Sequence, residues 1–299
     1  MSILNPGNRL FVLSQQGQRQ TSAPAAIGFG MSLLFLVILG QASARAWIRV
    51  AFPAGVPPIP ASIAENILGF LPIYLGLWVW LRGVEKRPFA SLGFEPSQAL
   101  RLVPRGALVG MSMILVTGLL AVLPGVSVKA ETVGFSALGL GLASLVGYAV
   151  QGPAEEALFR GWLLPVIGSR YRPWVGVVST SILFSLAHLS NTGITLVVLL
   201  NLFLFGVFAA FYALAEGGLW GIGAWHAVWN WAEGDLFGFA VSGSQHQGLL
   251  FSARVTGPSI LTGGSFGPEG GLGTTAVLVA AIVFLLVRDR RRLTAADLQ

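Results

Sequence analysis

The sequence predicts an all-α fold, a polytopic membrane bundle of about eight transmembrane helices, on three observations. Of 299 residues, 54% are hydrophobic and only 10% are charged, with a mean hydropathy of +0.75, whereas a soluble domain has about a quarter of its residues charged. Apolar runs of about 18 residues or more recur along the chain, the length a helix needs to cross a bilayer. Lys and Arg gather at alternate ends of those runs, the asymmetry that orients membrane helices.

The expected spans cover roughly 25–44, 64–81, 106–124, 134–167, 173–190, 193–215, 218–238 and 273–287. The first is preceded by a polar, Gln-rich stretch, 1–22, so no cleavable signal is expected. A stiff "FPAGVPPIP" linker precedes the second. The fourth runs on through Gly152-Pro153, the one clear break in the apolar runs, and the eighth stops at "RDRRR". No internal repeat suggests the inverted halves of a transporter. The chain thus divides into a polar segment 1–24, a bundle 25–287 and a basic tail 288–299.

With the N-terminus in the cytoplasm, thirteen basic residues fall inside: Arg9, Arg19, Arg82, Lys86, Arg87, Arg101, Arg105, Arg170, Arg172, Arg288 and Arg290 to Arg292. Four fall outside, Arg45, Arg49, Lys129 and Arg254, while Arg160 lies within a span. The expectation is a multi-pass protein of the cell (plasma or inner) membrane with both termini cytoplasmic and residues 239–272 outside. Arg45 and Arg49 fit an interfacial extension of the first helix. The net charge of +6 belongs to these flanks and does not call for nucleic acid. The absence of cysteine excludes disulfides, thiolate nucleophiles and thiolate zinc sites.

Against that background "GPAEEALFRGWLLP", residues 152–165, stands out. A charge at mid-membrane costs about 2.5–3.5 kcal/mol on insertion scales, so it normally faces a partner or a wet cavity. Glu156 and Arg160 are four apart and share a helix face, which suits an ion pair. Glu155 is rotated by about 100° from Glu156 and is left over. A structural ion pair with a spectator carboxylate is the plain alternative.

Three histidines complete the inventory. His246 lies in a polar loop, "VSGSQHQG", and reads as a solvated residue. His188 ends "SILFSLAH" with Phe184 four residues earlier, and His226 begins "HAVWN" with Asn230 four residues later. A lone His in an apolar span is more often a packing residue than a catalyst. Here two such spans join a third with a spare Glu. A hairpin turning at 168–172 would bring Glu155 and His188 to similar depth, about 22 Å from the turn at 1.5 Å per residue. Carboxylate and imidazole sharing a water make a general base; imidazole and carboxamide on one face make two donors for an oxyanion. Hydrolysis by an activated water is the economical reading. A proton-coupled transporter would also keep Glu and His inside its spans, and a membrane scaffold with an inactive pocket is a third reading.

Taken together, "EEALFR", "FSLAH" and "HAVWN" resemble the three-part signature EExxxR, FxxxH, HxxxN of the CPBP family, intramembrane proteases of the CAAX prenyl endopeptidase and bacteriocin-processing (Abi) type, in its bacterial form. The resemblance covers roughly 88–287, with "RPFASLGFEP" as the family's lead-in and "LTGGSFGPEGGL" as a loop of many bacterial members. It assigns no role to residues 1–60. It implies an eight-helix bundle with a catalytic core at about 134–238 and a conical cavity open towards the cytoplasm. It implies that Glu155 and His188 activate water, that His226 and Asn230 stabilise the oxyanion, and that Glu156, Arg160 and Phe184 support them, Glu156 and Arg160 by holding Glu155. The substrate would be a membrane protein or peptide in the lipid bilayer, with no nucleic acid partner. Zn2+ held by Glu155, His188 and His226 is the alternative to a metal-free mechanism. The metal-free one is favoured, because the spacing is not that of HExxH zinc proteases.

Overall fold

Helix starts in this chain are written in proline and hydroxyl residues. In the computed structural model, which describes residues 2–53, 55–56, 58–130, 135–246 and 248–296, α1 is a short turn, Arg9–Ser14. Helix α2, Ala23–Ala51, begins where Ser22 caps the Ala25 amide ahead of Pro24, as first-turn proline and hydroxyl caps do. Helix α3 spans Pro58–Trp80 and continues as a π turn, Leu81–Glu85. Helix α4, Pro96–Val122, starts on its proline. Strand β1, Val126–Ala130, precedes α5, Phe135–Glu156, which runs through Pro153, passes into a π segment at Ala157–Leu163 and ends as α6, Leu164–Arg170. Helix α7 is Pro173–Ala187; α8, Leu196–Glu216, is capped by Thr195 and stopped by left-handed Gly217. Helix α9, Trp220–Trp231, continues as a π turn, Ala232–Leu236. Strand β2 (Phe251–Val255), α10 (Ser259–Thr262) and α11 (Leu272–Ala296) complete the chain.

A helix accompanies each span expected from the sequence, but α4 ends at Val122 and α7 at Ala187, and α8 and α9 start at Leu196 and Trp220, so the ends of those runs lie in turns. Five stretches, 23–51, 59–85, 89–122, 196–216 and 272–291, are long and apolar enough to cross a membrane. Three other helical stretches, 135–170, 173–187 and 220–236, carry the motif residues. The first helix is longer than the apolar run because Arg45 and Arg49 ride on its end, Arg45 paired with Glu65 at 3.0 Å. The last continues through the basic tail to Ala296. Gly134, the expected start of the fourth span and of the 134–238 core, lies outside the described residues.

Helix α9 is central, packed between α4 and α5. With lipid outside, small residues rather than a hydrophobic drive bring membrane helices together. A Cβ on Gly106 would fall 1.9 Å from the Gly221 carbonyl, and one on Gly152 would fall 2.8 Å from the Ala227 amide. Gly152 thus serves close packing of α5 on α9 beside Pro153, and the helix is not broken there.

The two ends of the bundle differ. At one end the N-terminal segment is tied down rather than free. The Ile3 amide donates to Asp289 Oδ1 at 3.0 Å, Asn8 Nδ2 donates to the Leu214 carbonyl at 2.9 Å, and Arg9 pairs with Glu95. Buried Glu85 accepts from Thr21, Trp162 and Arg87. At the other end β1 and β2 form an antiparallel ladder, Val126 opposite Val255 through Ala130 opposite Phe251. This small hairpin departs from the purely helical expectation. The alternation Val-Ser-Val-Lys-Ala is strand-like, but it is short and its partner lies some 125 residues away.

Candidate active site

The three motif segments meet around one cavity of about 520 Å³. Glu155, His188, His226 and Asn230 all line it, from α5, the end of α7 and α9. Phe184 lines it as well, while Glu156 and Arg160 stand behind it, fully buried.

Glu156 Oε1 is the hub of the support. Arg160 Nη1 donates to it at 3.2 Å and His226 Nδ1 at 2.8 Å. The i,i+4 ion pair is present as expected, although the chain enters π geometry between its partners. Such π turns recur at functional sites, and a second begins two residues after Asn230. Arg160 also reaches the Gly206 carbonyl at 3.4 Å, and its guanidinium carbon lies 4.6 Å from the centre of the Phe184 ring, a cation–π contact. Phe184 stacks on Phe205 within 3° of parallel. The expected support of Glu155 by Glu156 and Arg160 is therefore not the arrangement seen: Glu156 and Arg160 hold His226. The reason is rotation, because adjacent residues on a helix point about 100° apart.

Glu155 has another partner, one that sequence reasoning missed. Gln151, one turn earlier on α5, donates from Nε2 to Glu155 Oε1 at 2.7 Å and accepts from Asn230 Nδ2 at 3.0 Å. Its i,i+4 spacing to Glu155 was the only signal. Gln151 joins the first and third motifs through one buried carboxamide.

The hydrogen bonds also set the tautomers. His188 Nδ1 lies 2.8 Å from the Phe184 carbonyl. A carbonyl only accepts, so Nδ1 carries the proton and Nε2 of the neutral ring keeps its lone pair. The same logic puts a proton on His226 Nδ1, opposite the Glu156 carboxylate.

His246 is a correction. It is not a solvated loop residue: its side chain is 16% exposed, and Nδ1 lies 3.1 Å from Asp235 Oδ1 and 3.4 Å from the Tyr148 hydroxyl. The loop after α9 folds back over the cavity and brings it there. Glu269, in the "LTGGSFGPEGGL" loop, also lines the cavity, accepting from Trp229 Nε1 at 3.0 Å and from the Ser242 hydroxyl at 2.9 Å.

Of the exposed lining residues, Arg45, Ser190, Thr192 and Ser244 lie at the end of the bundle that carries the β-ladder, while Ile38 lies midway along α2 on its flank. The mouth is thus on the face opposite the two termini. Among the described residues no group of three His, Asp or Glu side chains is close enough as placed to hold a metal ion.

Comparison with known proteins agrees with this geometry. Residues 137–232 match the family model described as type II CAAX prenyl endopeptidase Rce1-like. No curated protein matches the chain. Every motif residue of the cavity falls inside the matched segment, which spans 96 of the 299 residues, and the match is to a family of proteases that hydrolyse peptide bonds.

Proposed function

We propose that this chain is an intramembrane endopeptidase that cleaves a membrane-associated protein or peptide with a water activated by Glu155 and His188. The observation that carries the reading is the single cavity lined by both of these residues and by His226 and Asn230. Gln151 occupies Glu155 Oε1, which leaves Oε2 to accept from water. His188 Nε2, unprotonated, is a second acceptor for the same water. The water oxygen attacks the peptide carbonyl carbon as its proton passes to the carboxylate. That proton then moves to the amide nitrogen as the C–N bond breaks.

The carbonyl oxygen gains charge in this step. Asn230 has two amide hydrogens and gives one to Gln151, so the second is available to the oxyanion. His226 donates from Nε2 only as an imidazolium, since Nδ1 already faces Glu156. The Glu156 carboxylate at Nδ1 favours that form. Asn230 Oδ1 is buried without a partner among the described residues and can take a substrate N–H. No step needs a metal.

Glu155→Gln should lower kcat by about 10²–10⁴, the range of a general base, with folding unchanged. Membrane proteomes of cells carrying wild type or Glu155→Gln should differ by at least one uncut protein. A purified Glu155→Gln enzyme with full turnover would remove the assignment.

The Lys/Arg bias favours cytoplasmic termini, and with them Thr192 and Ser244 at the cavity rim belong to the outer face. The chain has no cysteine, so single-cysteine labelling is clean. Thr192→Cys and Ser244→Cys should react with an impermeant maleimide added outside intact cells, and Arg290→Cys should not. The reverse pattern would turn the molecule over and give the mouth to the cytoplasm.

A further inference from the structure

The hydrolytic step leaves one polar group of the cavity without a task. Tyr148 and His246 line the cavity, and buried Asp235 stands behind both. His246 is seated there. Its Nδ1 lies 3.1 Å from Asp235 Oδ1, and the Tyr148 hydroxyl donates to the same oxygen at 3.3 Å. The ring rests on Gly234, where a Cβ would fall 2.9 Å from His246 Cγ and 3.0 Å from Nδ1. Gly234 and Asp235 both belong to the π turn after α9, so one local departure from the α-helix makes the seat. A carboxylate only accepts, so Nδ1 carries a proton. Nε2, on the far edge of the ring, is turned away from Asp235 and Gly234.

Its distance from the chemistry follows from α5. Tyr148, Gln151 and Glu155 recur on one face of that helix and all line the cavity. Tyr148 precedes Glu155 by seven residues, about 10 Å at 1.5 Å per residue. An extended peptide advances about 3.3 Å per residue. A substrate whose scissile bond lies at Glu155 therefore passes His246 about three residues from that bond.

Charge decides what His246 meets there. Arg45 also lines the cavity, while its partner Glu65 does not, and neither does Asp235. Of the carboxylates that do line it, Glu155 lies deeper, and Glu269 already accepts from Trp229 and Ser242. This stretch thus offers an imidazole and a guanidinium against no free carboxylate.

We propose that His246 is a specificity-determining residue whose Nε2 holds an acidic side chain of the substrate about three residues from the bond that is cut. This rests on the reading of the cavity as a protease site. The imidazole takes up a proton as the carboxylate arrives, as histidine does readily near neutral pH. It then donates from both nitrogens, to Asp235 on one side and to the substrate on the other. The cavity does not close at His246, because Thr192 and Ser244 also line it and are exposed. A chain can run on past His246, which suits an internal side chain rather than a chain terminus.

The test uses the full chain in detergent and, as probe, the peptides of a membrane proteome cut after lysine. Mass spectrometry locates the cuts made by wild type and absent with Glu155→Gln. Asp or Glu should occur at one position two to four residues from the cut, about fivefold or more above its frequency in the peptides, as one charge-assisted hydrogen bond supplies. In His246→Gln that enrichment should fall to background, and in Arg254→Gln, on the β-ladder, it should stay. Asp235→Asn removes the group that orients the ring and should also lower the enrichment; it is the independent variant if His246→Gln misfolds. Cuts without acidic enrichment, or enrichment that persists in His246→Gln, would overturn the proposal. Cuts held at a fixed distance from the peptide C-terminus would give the site to a chain terminus and overturn it as well. No cut beyond the Glu155→Gln blank would sink the protease reading itself, and this inference with it.

Discussion

In the cavity lined by the motifs each charged motif side chain has a partner within the fold, though Glu156 Oε2 and Arg160 Nε have none among the described residues: Glu155 has Gln151, Glu156 has Arg160 and His226, and Arg160 has Glu156 and the Phe184 ring. In the cavity at the other end, lined by Arg101, Arg105, Tyr212, Glu216 and Arg288, the ion contact is looser, with Arg105 Nη1 3.7 Å from Glu216 Oε1. The difference follows from depth. Inside the bilayer neither lipid nor bulk water satisfies a polar group, so its match must come from the chain. Towards the ends of the helices water is at hand, and an ion contact need not be a tight hydrogen bond.

The comparison breaks most sharply at Glu156. Glu156→Ala strands both Arg160 and His226, and should destabilise the bundle by about 3–5 kcal/mol, the scale for one lost partner of a buried pair. Thermal unfolding in a fixed detergent reads this, and Glu156→Leu/Arg160→Leu should recover part of the loss. A melting temperature unchanged by Glu156→Ala would mean that the internal pairing carries no weight.

Asn230 tests the next level. Asn230→Ala removes a donor that gains most in the transition state, and kcat should fall by about 10²–10³ with little change in substrate binding. Asn230→Asp can keep activity where its carboxyl is protonated and donates. If Asn230 only braces the helices, Asn230→Ala would lower stability while the folded fraction turned over normally, which single-turnover kinetics would reveal.

Gln151 sets the smallest effect. It touches no reacting atom and works by orienting Glu155 and Asn230. Gln151→Ala should reduce kcat by about 10- to 100-fold, equivalent to one lost charge-assisted hydrogen bond of about 1.5–3 kcal/mol, and leave KM nearly alone. A loss confined to KM would place Gln151 in substrate binding instead.

Much of this site was legible before the fold. Glu156 and Arg160 share a helix face by spacing alone, as do Phe184 with His188 and His226 with Asn230, and each pair is where that spacing puts it. What the spacing left open was the partner across helices. His226 and Glu156 are 70 residues apart, and Asn230 and Gln151 are 79 apart; no local pattern links them. His246 looked solvated because its loop is polar, and Asp235 reaches it only because that loop turns back over α9. The N-terminal segment looked detached because its anchors, Glu85, Leu214 and Asp289, lie far along the chain.

By itself the sequence determined the membrane-spanning helical character, the approximate positions of the helices and the motif residues of the cavity. Lipid as a solvent dictates composition run by run, and helix periodicity acts within four residues. The tertiary structure alone decided that Glu156 serves His226, that Gln151 joins Glu155 to Asn230, and that the mouth opens opposite the termini. Those outcomes depend on the rotation and depth of one helix against another, which close contacts such as Gly152 on Ala227 and Gly106 on Gly221 set across the bundle.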